Sequence, residues 1–175
     1  MSLVLKPQCL ARRCRRDVCV RHWRFYRSQK LLPWCFFFAL DTHWTRIDAL
    51  AANGTLTSVR EVFNELHNYN DSDYIQGWAK QHKAIFAPPS NDELLVVQQI
   101  LAIPHFQTLI GNKAILKGTP VADPFVVAAG KVKESIVVTQ EVPKPNAAKV
   151  PNVCLHFGVP CINLESFMTQ QGWSF

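Results

Sequence analysis

The chain has 175 residues, 48% of them hydrophobic and 18% charged, which is enough to bury a core without help from a metal or a disulfide. Its longest apolar run, Leu31 to Leu40, has ten residues and is broken by Pro33, well short of the about 20 that a membrane span needs, so no membrane association is expected. The net charge of +6 is uneven: residues 1–30 carry nine Lys/Arg and one acid, whereas the remainder carries ten Lys/Arg and twelve acids.

Residues 1–33 read as a basic, poorly ordered or divergent arm, and 34–175 as the folded domain. The arm can attract nucleic acid or serve only as a solvated tail. Six cysteines show no secreted framework and no CxxC, and no secretory signal is evident. They are read as reduced thiols of a cytoplasmic protein.

Trp34 to Leu40 has the composition of a buried strand, closed by Asp41-Thr42. Trp44 to Ala52 reads as a helix with Trp44, Ile47, Leu50 and Ala51 on one face, stopped by Asn53-Gly54. Thr55 to Thr57 is a short strand. Ser58 and Glu61 have capping-box spacing for a second helix with Val62 and Leu66 inward. Asp73 to Phe86 is read as one helix ended by Pro88-Pro89. Ser90 and Glu93 repeat the capping-box spacing, and Leu94, Val97, Ile100 and Leu101 are spaced for a core face. His105 to Ile110 is one or two further helical turns, and Gly111 to Thr119 a basic loop.

Asp123-Pro124 predicts an N-cap followed by proline at the first helical position, with Gly130 as the stop. Ile136 to Thr139 is β-branched and apolar, as in a parallel strand buried on both faces. Pro151 to Phe157 predicts a helix stopped by Gly158. Val159 to Ile162 is a last strand, and Asn163 caps a helix from Leu164 to Gln171. Strands alternating with helices predict an α/β fold with a mainly parallel sheet.

Ligands in such sheets bind beyond the carboxyl ends of strands. Asp41, Glu65, Asp123 and Glu141 are the acids at or near those ends. Converging carboxylates raise one another's pKa unless a cation lies between them. Mg2+ or Mn2+ prefers carboxylate oxygens and can orient water and stabilise charge on a phosphodiester. Each acid also has a structural reading: Asp123 and Asp41 as helix caps, Glu65 as a solvated helix acid, Glu141 as a loop charge. No GxGxxG or P-loop supports a nucleotide-binding protein instead.

The runs SVREVFNEL, ADPFVVAAG and IVVTQE resemble successive motifs of PIN-domain proteins. Residues 44–175 more closely resemble an uncharacterised PIN-like family of small prokaryotic proteins, through TSVREVFNEL, WAKQHKAIF, VADPFVVAAG, VVTQEVPKPNAAKVPNVC and FGVPCINLESFM. The resemblance implies a three-layer α/β/α sandwich and a Mg2+- or Mn2+-dependent ribonuclease that cuts single-stranded RNA. It implies the toxin of a toxin–antitoxin pair, with an antitoxin protein as partner and a homodimer as the assembly. Glu65, Asp123 and Glu141 match the second to fourth acids of the family, and Thr139 the hydroxyl residue before the last.

Asp41, in FFFALDT, is the formal match to the first acid. It lies 24 positions before Glu65 (65 − 41), closer than the family pattern implies. WTRIDALAANG resembles a segment that normally falls well after that acid, which would put the first motif in the acid-free HWRFYRSQ. The alternative reading is therefore a catalytically impaired PIN-like module that binds RNA or a partner protein without cutting. Lys113, Lys117, Lys144 and Lys149 are candidate phosphate contacts or simply solvated loop lysines.

Overall fold

The computed structural model describes residues 3–5, 17–20, 41–67, 73–110 and 121–173. It is a mixed α/β fold around a six-stranded sheet. The strands are β1 (Leu3–Leu5), β2 (Asp17–Val20), β3 (Leu56–Val59), β4 (Phe86–Ala87), β5 (Ser135–Val138) and β6 (Cys161–Ile162), in the order β4-β3-β2-β1-β5-β6. Pairing is parallel for β2 with β3, β3 with β4 and β5 with β6, and β2 also pairs in parallel with β5. β1 runs antiparallel to β2 and β5. Within the segment read as a basic, poorly ordered or divergent arm, Leu3–Leu5 and Asp17–Val20 take places in the sheet. The strand expected at Trp34 to Leu40 lies outside the described residues.

Helix α1 (Asp41–Ala52) begins at Asp41 itself, three residues before the expected start. It buries Trp44, Ile47 and Ala51, the expected face. Asn53 ends it by accepting the Thr55 N–H through Oδ1 at 2.9 Å, and Gly54 makes the turn at φ +71°. Chain then passes straight from β3 into α2 (Arg60–His67), which buries Val62 and Leu66. Ser58, expected to open a capping box, lies in β3, and the helix begins at Arg60. Ser58 is a buried strand residue paired opposite Phe86, and the Glu61 carboxylate accepts from Arg60 Nη2 at 2.9 Å.

Helix α3 (Asp73–Gln81) ends earlier than its sequence suggests. A 3-10 turn at Lys83–Ile85 follows, so Phe86 falls in β4 rather than in a helix. The Trp78 indole donates to Asp48 Oδ1 at 2.7 Å and tilts against the Trp44 ring at 5.8 Å, fixing α3 on α1. Helix α4 (Asn91–Ala102) opens with the predicted capping box: Ser90 Oγ accepts the Glu93 N–H, and the Glu93 carboxylate accepts the Ser90 N–H. That return places Glu93 inside at 2% exposure and leaves Leu94, expected in the core, 40% exposed. Glu93 Oε1 meets Lys133 Nζ at 3.2 Å, tying the start of α4 to the chain just after α5 (Asp123–Val132).

Gly130 does not stop α5. The helix runs on to Val132, and the left-handed turn is made by Glu134 at φ 49°. Gly130 serves contact instead: a Cβ there would lie 2.7 Å from Val137 Cγ2 and 3.0 Å from Val159 Cγ1. The missing side chain lets α5 settle on β5. Helix α6 (Val150–Phe157) ends at Gly158, left-handed at φ 66°, as expected. β6 starts at Cys161, later than the expected Val159, because the Val159 N–H still closes the helix on Cys154 C=O at 2.8 Å. Asn163 caps α7 (Leu164–Gln170) by accepting the Ser166 N–H at 2.8 Å. Among the described residues no helix is long and apolar enough to cross a membrane.

Candidate functional site

The carboxylates of interest gather at helix N-termini that lack a cap of their own. Helix N-termini leave N–H groups unsatisfied and favour negative charge. The N-cap of α5 is Ala122, whose side chain cannot cap. Glu65, in the second turn of α2, supplies the acceptor: its Oε1 takes the Ala122 N–H at 2.8 Å across 57 residues of sequence. This contact carries the α2 carboxylate to the residue beside Asp123. Asp123 is therefore not the N-cap expected from Asp-Pro. It is the first helical residue, 7% exposed, with Pro124 next.

The same device recurs at α6, whose N-cap, Lys149, makes no side-chain cap bond. Glu141 fills the role. Its Oε2 accepts the Val150 N–H at 2.9 Å, and its Oε1 accepts from Lys149 Nζ at 3.1 Å. Thr139, 2% exposed, ends the run of β5: its N–H bonds Ile162 C=O at 2.9 Å, and its Oγ1 accepts the Glu141 N–H at 3.1 Å. The hydroxyl thus sets the backbone from which the Glu141 side chain departs. Cys161 senses this carboxylate. A hydrogen bond from the Cys154 thiol holds the Cys161 thiol below its ordinary pKa, against burial and the Glu141 charge, which both push it up.

The fold thus brings Glu65 to the backbone beside Asp123 and joins Thr139 to Glu141. Asp41 opens α1, and its side chain lies outside the described residues. Among the described residues, no three acidic, histidine or cysteine side chains come together as a metal cage. Lys113 and Lys117 also lie outside the described residues. Lys144 sits on an exposed loop pinned by Asn152, which accepts the Lys144 N–H at 3.3 Å and donates to its C=O at 3.0 Å. Lys149 is engaged with Glu141.

Sequence reasoning missed Lys149 as the partner of Glu141 and Ala122 as the backbone donor to Glu65. The signal was present in both cases. Helices opening after alanine and lysine have no local cap, so an acceptor must come from elsewhere in the chain.

These observations define a mixed α/β domain in which Glu65 and Glu141 each accept a backbone N–H at the start of a different helix. Residues 36–175 match the family model described as a domain of unknown function, DUF4411, and the chain belongs to that family. No curated protein and no solved structure matches it.

Proposed function

We propose that this protein is a Mg2+- or Mn2+-dependent ribonuclease of PIN type, built as a three-layer sandwich and acting on single-stranded RNA. The observation that carries the reading is the Glu65–Ala122 hydrogen bond at 2.8 Å, which unites the two motifs holding the second and third acids of the resemblance. The donor set suits the ion. Carboxylate oxygens are what hard divalent cations take, and a carboxylate has acceptor sites beyond the one an N–H uses. Glu65, Asp123 and Glu141, with Asp41, would hold the ion, which when bound lowers the pKa of water and offsets phosphodiester charge. The chain's own contribution is orientation. Ala122 N–H fixes one Glu65 oxygen, α5 presents Asp123 from its first turn, and Thr139 sets the backbone of Glu141. Lys113, Lys117 and Lys144 would contact phosphate. A toxin's place beside an antitoxin, in a cytoplasmic homodimer, completes the proposal.

A mixed pool of single-stranded RNA incubated with Mn2+ tests it. Wild type should cut, EDTA should stop cutting, and Asp123→Asn should lose it while its circular dichroism stays native. A folded wild type that leaves the RNA intact would sink the nuclease reading. The second reading, a module that binds without cutting, is favoured by Glu141, whose two oxygens are already engaged by Lys149 and Val150.

A further inference from the structure

Cys154 and Cys161 flank the turn between α6 and β6. Cys154 lies in the last turn of α6 and is fully buried. The chain reverses at Gly158, and the Val159 N–H returns to the Cys154 carbonyl at 2.8 Å. That reversal aims β6 back along the helix end. Cys161, first residue of β6, pairs with Val137 of β5 and keeps partial solvent access. The two side chains meet in a thiol–thiol hydrogen bond. Neither is in a disulfide.

A pair of thiols in contact, one buried and one reachable, has the layout of a resolving and an attacking cysteine. Helix, left-handed glycine and strand hold the two side chains within hydrogen-bonding reach of each other. Nothing in the proposed hydrolysis uses either sulfur.

We propose that Cys154 and Cys161 form an oxidative modification site that takes small disulfides of the glutathione class and closes to an intramolecular disulfide. The Cys161 thiolate attacks one sulfur of the small disulfide. The S–S bond of the reagent breaks, one small thiolate leaves, and a mixed disulfide remains on Cys161. Cys154 attacks the Cys161 sulfur, the S–S bond to the small group breaks, and the Cys154 proton passes to the departing sulfur, which leaves as the second small thiol. Two protein thiols are oxidised by two electrons, and one small disulfide is reduced to two thiols. The bond ties the end of α6 to β6, behind the loop that carries Glu141. This site stands whether or not the protein is a nuclease.

The test uses the full chain equilibrated in buffers of oxidised and reduced glutathione, with free thiols then trapped by N-ethylmaleimide. After Lys149 the chain has no Lys or Arg, so the tryptic peptide beginning at Val150 carries Cys154 and Cys161 and no other cysteine. Mass spectrometry should find this peptide unlabelled and two hydrogens lighter than its reduced form. Cys154→Ser should instead leave Cys161 carrying glutathione. The folded chain should oxidise at a lower ratio of oxidised to reduced glutathione than the same chain in urea. Two maleimide labels on the peptide at every ratio would overturn the proposal. So would a wild type that stops at the mixed disulfide, or a folded chain no easier to oxidise than the unfolded one.

Discussion

Two glycines in helix interiors separate what the sequence says from what packing requires. Gly130 and Gly77 both sit inside helices, α5 and α3, where alanine is preferred by about 1 kcal/mol. A Cβ at Gly77 meets nothing within 4 Å, whereas at Gly130 it would press on Val137 at 2.7 Å and Val159 at 3.0 Å. Val137 is completely buried and Val159 nearly so, hence neither has room to move. Overpacking costs about 1–3 kcal/mol, which outweighs the propensity gain. Gly130→Ala should lower the urea midpoint and Gly77→Ala should raise it slightly. Equal shifts would show that α5 and β5 are not in such close contact. Sequence alone reads Gly130 as a stop, because a glycine after an apolar turn looks alike in both roles. Only the strand lying across it tells them apart.

At the scale of elements, helix starts were legible where the cap is local and opaque where it is not. Ser90 and Glu93 lie three residues apart, and both halves of their box form, at 3.2 Å and 2.8 Å. Ser58 and Glu61 have the same spacing, yet parallel pairing with β4 holds Ser58 in β3, and the sheet overrides the local signal. Removing the Ser90 hydroxyl leaves the Glu93 N–H without its acceptor, a loss of about 1 kcal/mol. Ser90→Ala should therefore reduce stability by that amount in chemical denaturation. The starts of α5 and α6 depend on Glu65 and Glu141, which no spacing rule connects to Ala122 and Val150. Both glutamates are therefore structural acceptors as well as proposed metal ligands, and substituting either one perturbs a helix start along with any chemistry. Asp123 is the cleaner probe, since asparagine keeps its size and removes the first-turn charge.

Across the whole molecule, the alternation of strands and helices, the parallel pairings and most of the core could be read from periodicity, because burial imposes it. Sheet order could not, since β2 comes from a basic segment with no alternating pattern and still pairs with both β3 and β5. Nor could the two acid contacts that follow from the fold, Glu65 on the Ala122 N–H and Glu141 on the Val150 N–H. If the acids hold an ion, the ion binds the folded chain and not the unfolded one, and stability rises as RT ln(1 + [L]/Kd). A hundredfold excess over Kd contributes about 2.7 kcal/mol, which for a chain of this size moves Tm by about 5–10 °C. Mn2+ should therefore raise Tm of wild type by several degrees and leave Asp123→Asn unmoved. Because this readout needs no substrate, it separates a protein that has lost the ion from one that binds it and lacks only the right RNA. A shift of the same size in Asp123→Asn would place the ion away from α5. No shift in wild type would leave Glu65 and Glu141 as helix caps and nothing more, with Lys149 the permanent counterion of Glu141.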